Sequence, residues 1–542
     1  MRGFAVAACC MACCAAALGE AGAEQALLQA NSPSDYVHRI TLYDQDGAAI
    51  NPGDFRPAPY SPSMTCGKCH AYETISNGWH FNETKKTQPP GRPGEPWLLA
   101  DPETGATRAI SGRGWPGTIT PDAAGLSDFA MTIRFGHHFP GGGFGSPTVE
   151  KIRSSDEFLR WGITGPLEID CMFCHSADNT HDPAEAERQI GKQNFRWAPT
   201  AALGLGAIRG EAANTPDDVD PLAPPDPDFP ERALPYVDYD KTRFDADGRV
   251  FFNITRRPSA QRCEFCHVSR DVSSDASPEW SAERDVHIAS GMTCVDCHRN
   301  GIDHEIIRGD PGEAERRHDP SLRAFTCAGC HGVDIDRDTR AMSRESAPLS
   351  GRLGSPIPRH AGIPALHFRT LTCTACHAGP WPMETPRRLQ TALAHGLGVP
   401  TRDRTQTTPP EIRGPVFARD EQGRIGPFRA AQTESGDVLW PIAHNVRPAQ
   451  QALGARGCVD CHANDAALFF GSTKLGGSGD GDRMWASAQL DPAFAKLWNV
   501  AFAWRDLFKW TTLATLLVIA GLLCRYLLSL LETIMPGARR SA

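Results

Sequence analysis

The chain has 542 residues and a formal charge of -9, and glycine and proline together fill 95 positions. So punctuated a chain is loop-rich and needs something other than a large apolar core to hold it. With no strongly basic face available, a nucleic-acid partner is excluded.

Residues 1–23 read as a secretory signal. Arg2 supplies the positive start, residues 4–18 the apolar run, and Ala21-Gly22-Ala23 an A-x-A cleavage site. Cys9, Cys10, Cys13 and Cys14 fall in that run. Residues 43–50 (YDQDGAAI) carry Asp-Gly turn chemistry. The Gly-rich stretch 139–146 (FPGGGFGS) reads as a tight loop over a bound group rather than a phosphate cradle, since no Lys-Ser or Lys-Thr follows. Residues 214–231, with six prolines and six acidic residues, read as a solvated linker. Residues 244–254 (FDADGRVFFNI) read as a hairpin turning at Asp247-Gly248. A calcium site at Asp245 and Asp247 lacks the later glutamate of an EF-hand.

Seven C-x-x-C-H motifs punctuate the chain. They are Cys66-Cys69-His70, Cys171-Cys174-His175, Cys263-Cys266-His267, Cys294-Cys297-His298, Cys327-Cys330-His331, Cys373-Cys376-His377 and Cys458-Cys461-His462. Their first cysteines are separated by 105, 92, 31, 33, 46 and 85 residues. This spacing lets two thiols add to the vinyl groups of one haem and sets the adjacent histidine under the iron as proximal ligand. Zinc knuckles share the cysteine spacing but have no need of histidine at that one offset. With only 19 histidines in the chain, its recurrence after all seven pairs is not chance. The expected cofactors are therefore seven covalently bound haems c. All 14 of these cysteines are consumed by attachment, and none is left for a disulfide.

A sixth iron ligand comes from a second residue unless the site stays open. The candidate distal histidines are His80, His138 (or its neighbour His137), His181, His287, His304, His318, His367 and His444, by their placement near the motifs. His360 and His395 remain as spares, and His38 is the weakest candidate. Methionine competes as sixth ligand, but most of the ten methionines lie in the signal, at the chain end or crowded against a motif. Mostly bis-histidine, low-potential haems are expected. In the dense tract from Cys263 to His377, only short helical turns fit between motifs, so the haems themselves are expected to form the core.

Near the C-terminus, residues 492–509 interleave Trp498, Phe502, Trp504 and Phe508 with Lys496, Arg505 and Lys509, as an interfacial amphipathic segment does. Residues 510–531 then run apolar for 22 positions, enough to cross a hydrocarbon core of about 30 Å. Arg525 is placed to snorkel toward the nearer interface, the alternative being a pairing with a group in a partner membrane subunit. The expected organisation is a signal (1–23), an N-terminal haem region (24–262), a C-terminal haem region (263–490), the interfacial segment and a transmembrane helix (510–535). The fold class expected is mainly α with much irregular loop, a multihaem cytochrome c fold with a haem-stacked core and a single C-terminal membrane helix. The bulk is expected on the periplasmic side of the inner membrane.

On these motifs the chain resembles the superfamily of multihaem c-type cytochromes that includes octahaem tetrathionate reductases, multihaem nitrite reductases and hydroxylamine oxidoreductases. The resemblance spans roughly residues 65–462. It departs from those families in carrying seven motifs rather than eight, no C-x-x-C-K, and no tyrosine between Asp240 and Arg525. The supply of histidines for full six-coordination and the anchor favour an electron-transfer subunit, with oxidoreductase activity left open. It would relay electrons between a quinone-linked membrane partner and a periplasmic or extracellular redox partner, other cytochromes included. The alternative is a reductase of nitrogen or sulfur oxyanions with one open haem and arginines such as Arg316, Arg317 and Arg369 to bind the anion. A plainer third reading is a membrane-bound haem module that docks other redox proteins.

Overall fold

The structure is a computed structural model describing most of residues 37–534. Outside the described residues lie 1–36, 85–96, 101–106, 114–117, 272–284, 333–354, 379–386, 391–411, 475–483, 487–496 and 535–542, with shorter stretches between. The signal segment, His395, Lys496 and Trp498 fall there, as does the side chain of His138.

Helices are short and joined by irregular chain. Conventional apolar packing is confined mostly to the first 260 residues. One cluster gathers Leu42, Tyr60, Met172, Trp197, Leu205 and Val250, all almost fully buried. A second gathers Ile110, Met131, Phe135, Phe144, Trp161 and Phe195. Each large apolar side chain so buried contributes about 1.5–3 kcal/mol, so this region holds together on its own packing. The tract from Cys263 to His377 is different. Among its described residues only Phe265, Ile307, Ala314, Leu322 and Ala375 are buried apolar groups.

The turn chemistry folds as its residue types dictate. Gly47 and Gly248 take φ of 79° and 72°, the left-handed region a Cβ disfavours. The Asp44 and Asp245 side chains accept hydrogen bonds from the backbone N–H groups two and four residues on. The second turn closes as the expected hairpin, with Phe244 opposite Val250 and the Asp245 N–H donating to the Arg249 carbonyl at 2.9 Å, and it also joins a sheet. Its outgoing strand Arg249–Phe251 pairs antiparallel with Arg39–Thr41. The Asp245 and Asp247 carboxylates both bind Arg249, which leaves the pair engaged rather than open to calcium. The described residues of 214–231 are mostly exposed, and the segment is pinned at one end by Arg160 bonding the Thr215 carbonyl.

The Gly-rich loop packs on protein. Gly141 has φ of 90°, and a Cβ there would fall 1.7 Å from the Glu168 carbonyl. The loop is laced to residues 167–170 by Gly142 N–H to Leu167 O and Asp170 N–H to Pro140 O. It thereby fixes the segment that runs into Cys171.

A five-stranded antiparallel sheet, absent from the mainly helical expectation, forms in the second half. Its order is Gly436–Pro441, Ile425–Thr433, Ile412–Arg419, Arg387–Gln390 and Arg270–Asp271. Its central turn rests on Asp420, whose carboxylate accepts from Gln422 and Arg424 N–H. The longest helix is Arg505–Ile534, 30 residues with a mean hydropathy of 2.1 in its most apolar window and no burial against the rest of the chain. Among the described residues it is the one helix long and apolar enough to cross a membrane.

Candidate functional site

Every C-x-x-C-H motif lies on or against a helical turn. Cys171–His175, Cys327–His331 and Cys373–His377 are each one five-residue helix, and Ala260–His267 ends on its motif. Cys294–Cys297 and Val459–His462 are four-residue helices. After Pro62–Cys66, the His70 N–H still bonds the Cys66 carbonyl at 3.0 Å. Residues three and four apart share a helix face, so both cysteines and the histidine of a motif point one way. The turns are started by side-chain caps: Ser61, Asp170, Thr326 and Thr372 each accept from an N–H within the first turn. Thr293 and Asp296 form a capping box.

Six of the motif histidines face a second histidine. The ring centres are 5.8 Å apart for His267 and His80, 6.0 Å for His175 and His304, and 6.0 Å for His331 and His287. They are 6.1 Å apart for His298 and His444, 6.2 Å for His377 and His360, and 6.0 Å for His462 and His367. Ordinary aromatic contacts also occur at this range. Two features separate these from ordinary contacts. Every pair joins one motif histidine to one other, and the spread of distances is only 0.4 Å. Two imidazoles on one metal, at about 2 Å per bond, would place their nitrogens about 4 Å apart and their ring centres about 6 Å apart. The His80 and His267 Nε2 atoms, at 3.5 Å, sit slightly inside that span. For the seventh motif histidine, His70, the neighbour is His38, whose pKa is lowered by burial and then by the charge of His70.

The other ring nitrogens show which end is offered. His175 Nδ1 lies 2.8 Å from Thr255 O, His298 Nδ1 2.9 Å from Ile307 O, and His331 Nδ1 2.8 Å from Pro356 O. On the facing side, His304 Nδ1 meets Ile302 O at 2.9 Å, His367 Nδ1 meets Pro364 O at 3.2 Å, and His287 Nδ1 meets the Asp285 carboxylate at 2.9 Å. A carbonyl or carboxylate oxygen can only accept, so Nδ1 carries the proton and donates. Nε2 is then left with its lone pair toward the facing ring, the orientation a metal ligand needs. Burial favours the neutral form at four of these imidazoles. The His80 pKa is pushed down to about 3, chiefly by burial and then by His267. Burial also lowers His175, His360 and His377.

The thiols arrange the motifs in series. The free Cys66 and Cys171 thiols are hydrogen-bonded, which raises the Cys171 thiol. The Cys263 and Cys294 thiols are hydrogen-bonded likewise, as are Cys327 and Cys373, drawing the Cys373 thiol down to about 7. Cys174 lies near Cys266, Cys297 near Cys330 and Cys376 near Cys461, each within electrostatic reach. Phe173 and Phe265 meet edge to face at 5.5 Å beside the second and third motifs. Consecutive motifs in sequence are thus neighbours in space along the whole series.

Side-chain struts hold these junctions. The buried Glu168 carboxylate accepts from Ser61 Oγ at 2.9 Å and from Ser63 N–H at 3.0 Å, tying the first motif helix to the approach of the second. Asp285 accepts from Val446 N–H at 2.9 Å and from His287, joining the segments that carry His287 and His444.

Some candidates are placed elsewhere. His181 is fully buried, and its Nε2 lies 2.7 Å from the Asp170 carboxylate, while Arg262 bonds its carbonyl. It braces the second and third motifs instead of facing a motif histidine. His318 is exposed on the turn after Glu313–Arg316, and its ring meets no motif histidine. His38 and His360 take positions that motif proximity did not single out. Their only sequence signal is being histidines upstream of a motif. His304 and His360 adopt φ of 54° and 41°, a left-handed conformation costing about 1–2 kcal/mol outside glycine, held by the surrounding chain. Of the arginines weighed for anion binding, Arg317 bonds Glu305 and Glu313 at 3.1 Å and Arg316 lies 3.6 Å from Glu421.

Among the described residues no group of three or more His, Cys, Asp or Glu converges as a metal-ion cage. An axial haem pair needs only two, and the residues present fit it. No protein family, curated protein or solved structure matches the chain.

Proposed function

We propose that this protein is a membrane-anchored relay of the multihaem c-type cytochrome kind. In this reading it carries seven covalently bound haems c and passes electrons between a quinone-linked membrane partner and a redox partner in the periplasm or outside the cell. The Arg505–Ile534 helix would anchor it, with the haem-bearing bulk on the periplasmic side. The observation that carries the reading is the set of histidine pairs, each joining a motif histidine to a second one, with Nδ1 tied to oxygen wherever such a bond is seen.

A haem iron with two axial imidazoles supplies one-electron transfer at low potential and offers no open position to a substrate. The protein's part is to orient the rings by the Nδ1 hydrogen bonds seen at His175, His298, His331, His304, His367 and His287, and to keep successive motifs in contact. The scarcity of buried apolar groups among the described residues between Cys263 and His377 supports packing around haem.

Low-temperature EPR of the oxidised protein, with carbon monoxide added after reduction, tests this. Seven low-spin haems that do not bind carbon monoxide are expected. A high-spin signal with carbon monoxide bound at one haem would sink the relay and revive the oxyanion-reductase alternative.

A further inference from the structure

The two ends of the motif series are not equivalent. At the first end, Cys66 touches only the second motif, and its surroundings are the packed N-terminal region. At the last end, the His462 ring stacks on Phe502, with centres 4.9 Å apart and planes 19° from parallel. The Arg505 guanidinium lies 4.2 Å over the other partner of that stack, the same Phe502 ring. Trp504 N–H bonds Val500 O and Phe508 N–H bonds Trp504 O, so Phe502 belongs to the helical chain that continues into Arg505–Ile534. Along a helix rising about 1.5 Å per residue, Phe502 stands only about 12 Å before Trp510, where the apolar span begins. Trp504, Phe508 and Trp510 are exposed around this point, at 54, 54 and 69%. Aromatic rings and a cation so placed belong at a membrane–water interface.

We propose that the site held by His462 and His367 is the membrane port of the series, where a quinone-class carrier dissolved in the bilayer exchanges electrons with the protein, and that the His70 site is the opposite, aqueous port. This rests on the relay reading above. A carrier confined to lipid reaches the chain only where the helix enters the bilayer, and among the described pairs it is the His462 pair that contacts the helical segment leading into that helix, at Phe502. The exposed rings present a flat apolar face to a quinone ring, and Arg505 is a donor within reach of its carbonyl oxygens. In the oxidising direction, one quinol gives up two electrons, one at a time, and two protons to the aqueous side. Each electron reduces one ferric iron to ferrous, and the reverse flow regenerates the quinol.

The test uses the full chain in phosphatidylcholine vesicles whose lipid headgroups carry a nitroxide. Ferric haem near the surface speeds relaxation of those nitroxides. The enhancement is expected to vanish in Cys458→Ser/Cys461→Ser and to persist in Cys66→Ser/Cys69→Ser. The opposite pattern overturns the port. Because loss of a haem can unfold the chain, Phe502→Ala and Arg505→Gln provide a second measurement with all attachment sites intact. With duroquinol in the vesicles as reductant, losing the Arg505 hydrogen bond is expected to raise the half-saturating duroquinol concentration about tenfold. Reduction by dithionite from the water is expected to stay unchanged. Unchanged duroquinol kinetics in both variants overturn the proposal. A carbon-monoxide-binding haem in the intact chain would instead sink the relay reading and leave the relaxation pattern standing.

Discussion

Gly78→Ala is a small change aimed at one axial pair. Gly78 is not among the left-handed glycines, so alanine suits its backbone and only contacts decide the outcome. Its Cβ would fall 2.6 Å from His304 Cβ, 2.7 Å from His304 O and 2.8 Å from Asp303 O, where ordinary contact starts at 3.4 Å. Either the 78–79 segment or His304 has to give by about 0.8 Å. Two of the three obstacles are backbone oxygens, and Trp79 N–H is bonded to His304 O at 3.2 Å, so the segments cannot slide apart without losing that bond. Overpacking of this kind costs about 1–3 kcal/mol. If His304 and His175 hold one iron, as the relay reading has it, a metal–imidazole bond of about 2 Å would not stretch by about 0.8 Å, and His304 is expected to come off that iron. The expected result is a high-spin EPR signal from one haem and carbon monoxide binding after reduction, with total haem unchanged by pyridine haemochrome. His304→Ala should give the same signal, and the double variant no larger one. If Gly78→Ala keeps every haem low-spin while losing stability, the Gly78 contact does not position an iron ligand.

Other outcomes follow from the same geometry. His287→Ala and His360→Ala should each open one haem to carbon monoxide, while His318→Ala should leave spin state intact and stability within about 0.5 kcal/mol in urea unfolding. His181→Ala should also leave every haem low-spin but cost about 1–3 kcal/mol, because Asp170 loses a buried partner; an opened haem in that variant would make His181 a ligand after all. Burial pushes the Glu187 carboxyl up to about 8 from an ordinary 4.5. The folded chain therefore keeps a proton between those values that the unfolded chain has released. Stability should fall as pH rises through that window, by at most about 1.4 kcal/mol per pH unit. Glu187→Gln should flatten the slope, and an identical pH profile for the variant would refute the assignment. A chain ending at Pro492 should be released from membranes in soluble form with its full haem content, measured by haem stain and sedimentation; retention in the pellet would refute anchoring by Arg505–Ile534.

Much of the candidate site was legible from local pattern. A C-x-x-C-H motif is complete within five residues, and one helical turn suffices to put its groups on one side. Asp-Gly turns and a long apolar run are equally local. The facing histidines are a different matter. His287 and His367 lie close ahead of a motif, yet His287 faces His331 and His367 faces His462, not the motif each one precedes. His80 faces a ring 187 positions away, and His304 faces the motif that lies far upstream of it.

Nor could spacing separate His181, which braces Asp170, from His304, since each follows a motif histidine by six residues. The five-stranded sheet was hidden only in part for that reason: Arg270–Asp271 joins from more than a hundred residues away, whereas Ile412–Arg419, Ile425–Thr433 and Gly436–Pro441 pair with their neighbours in sequence. The residue types and motif spacing by themselves determined where the seven C-x-x-C-H turns lie, on which the haem proposal rests, and which segment is apolar enough for a membrane. Only the tertiary structure decided which histidine faces which, that the motifs touch in sequence order, and that the last of them rests on the helix. Attachment chemistry needs neighbours along the chain, whereas an axial pair needs two segments brought together in space, and the chain between them carries no periodic signal for that meeting.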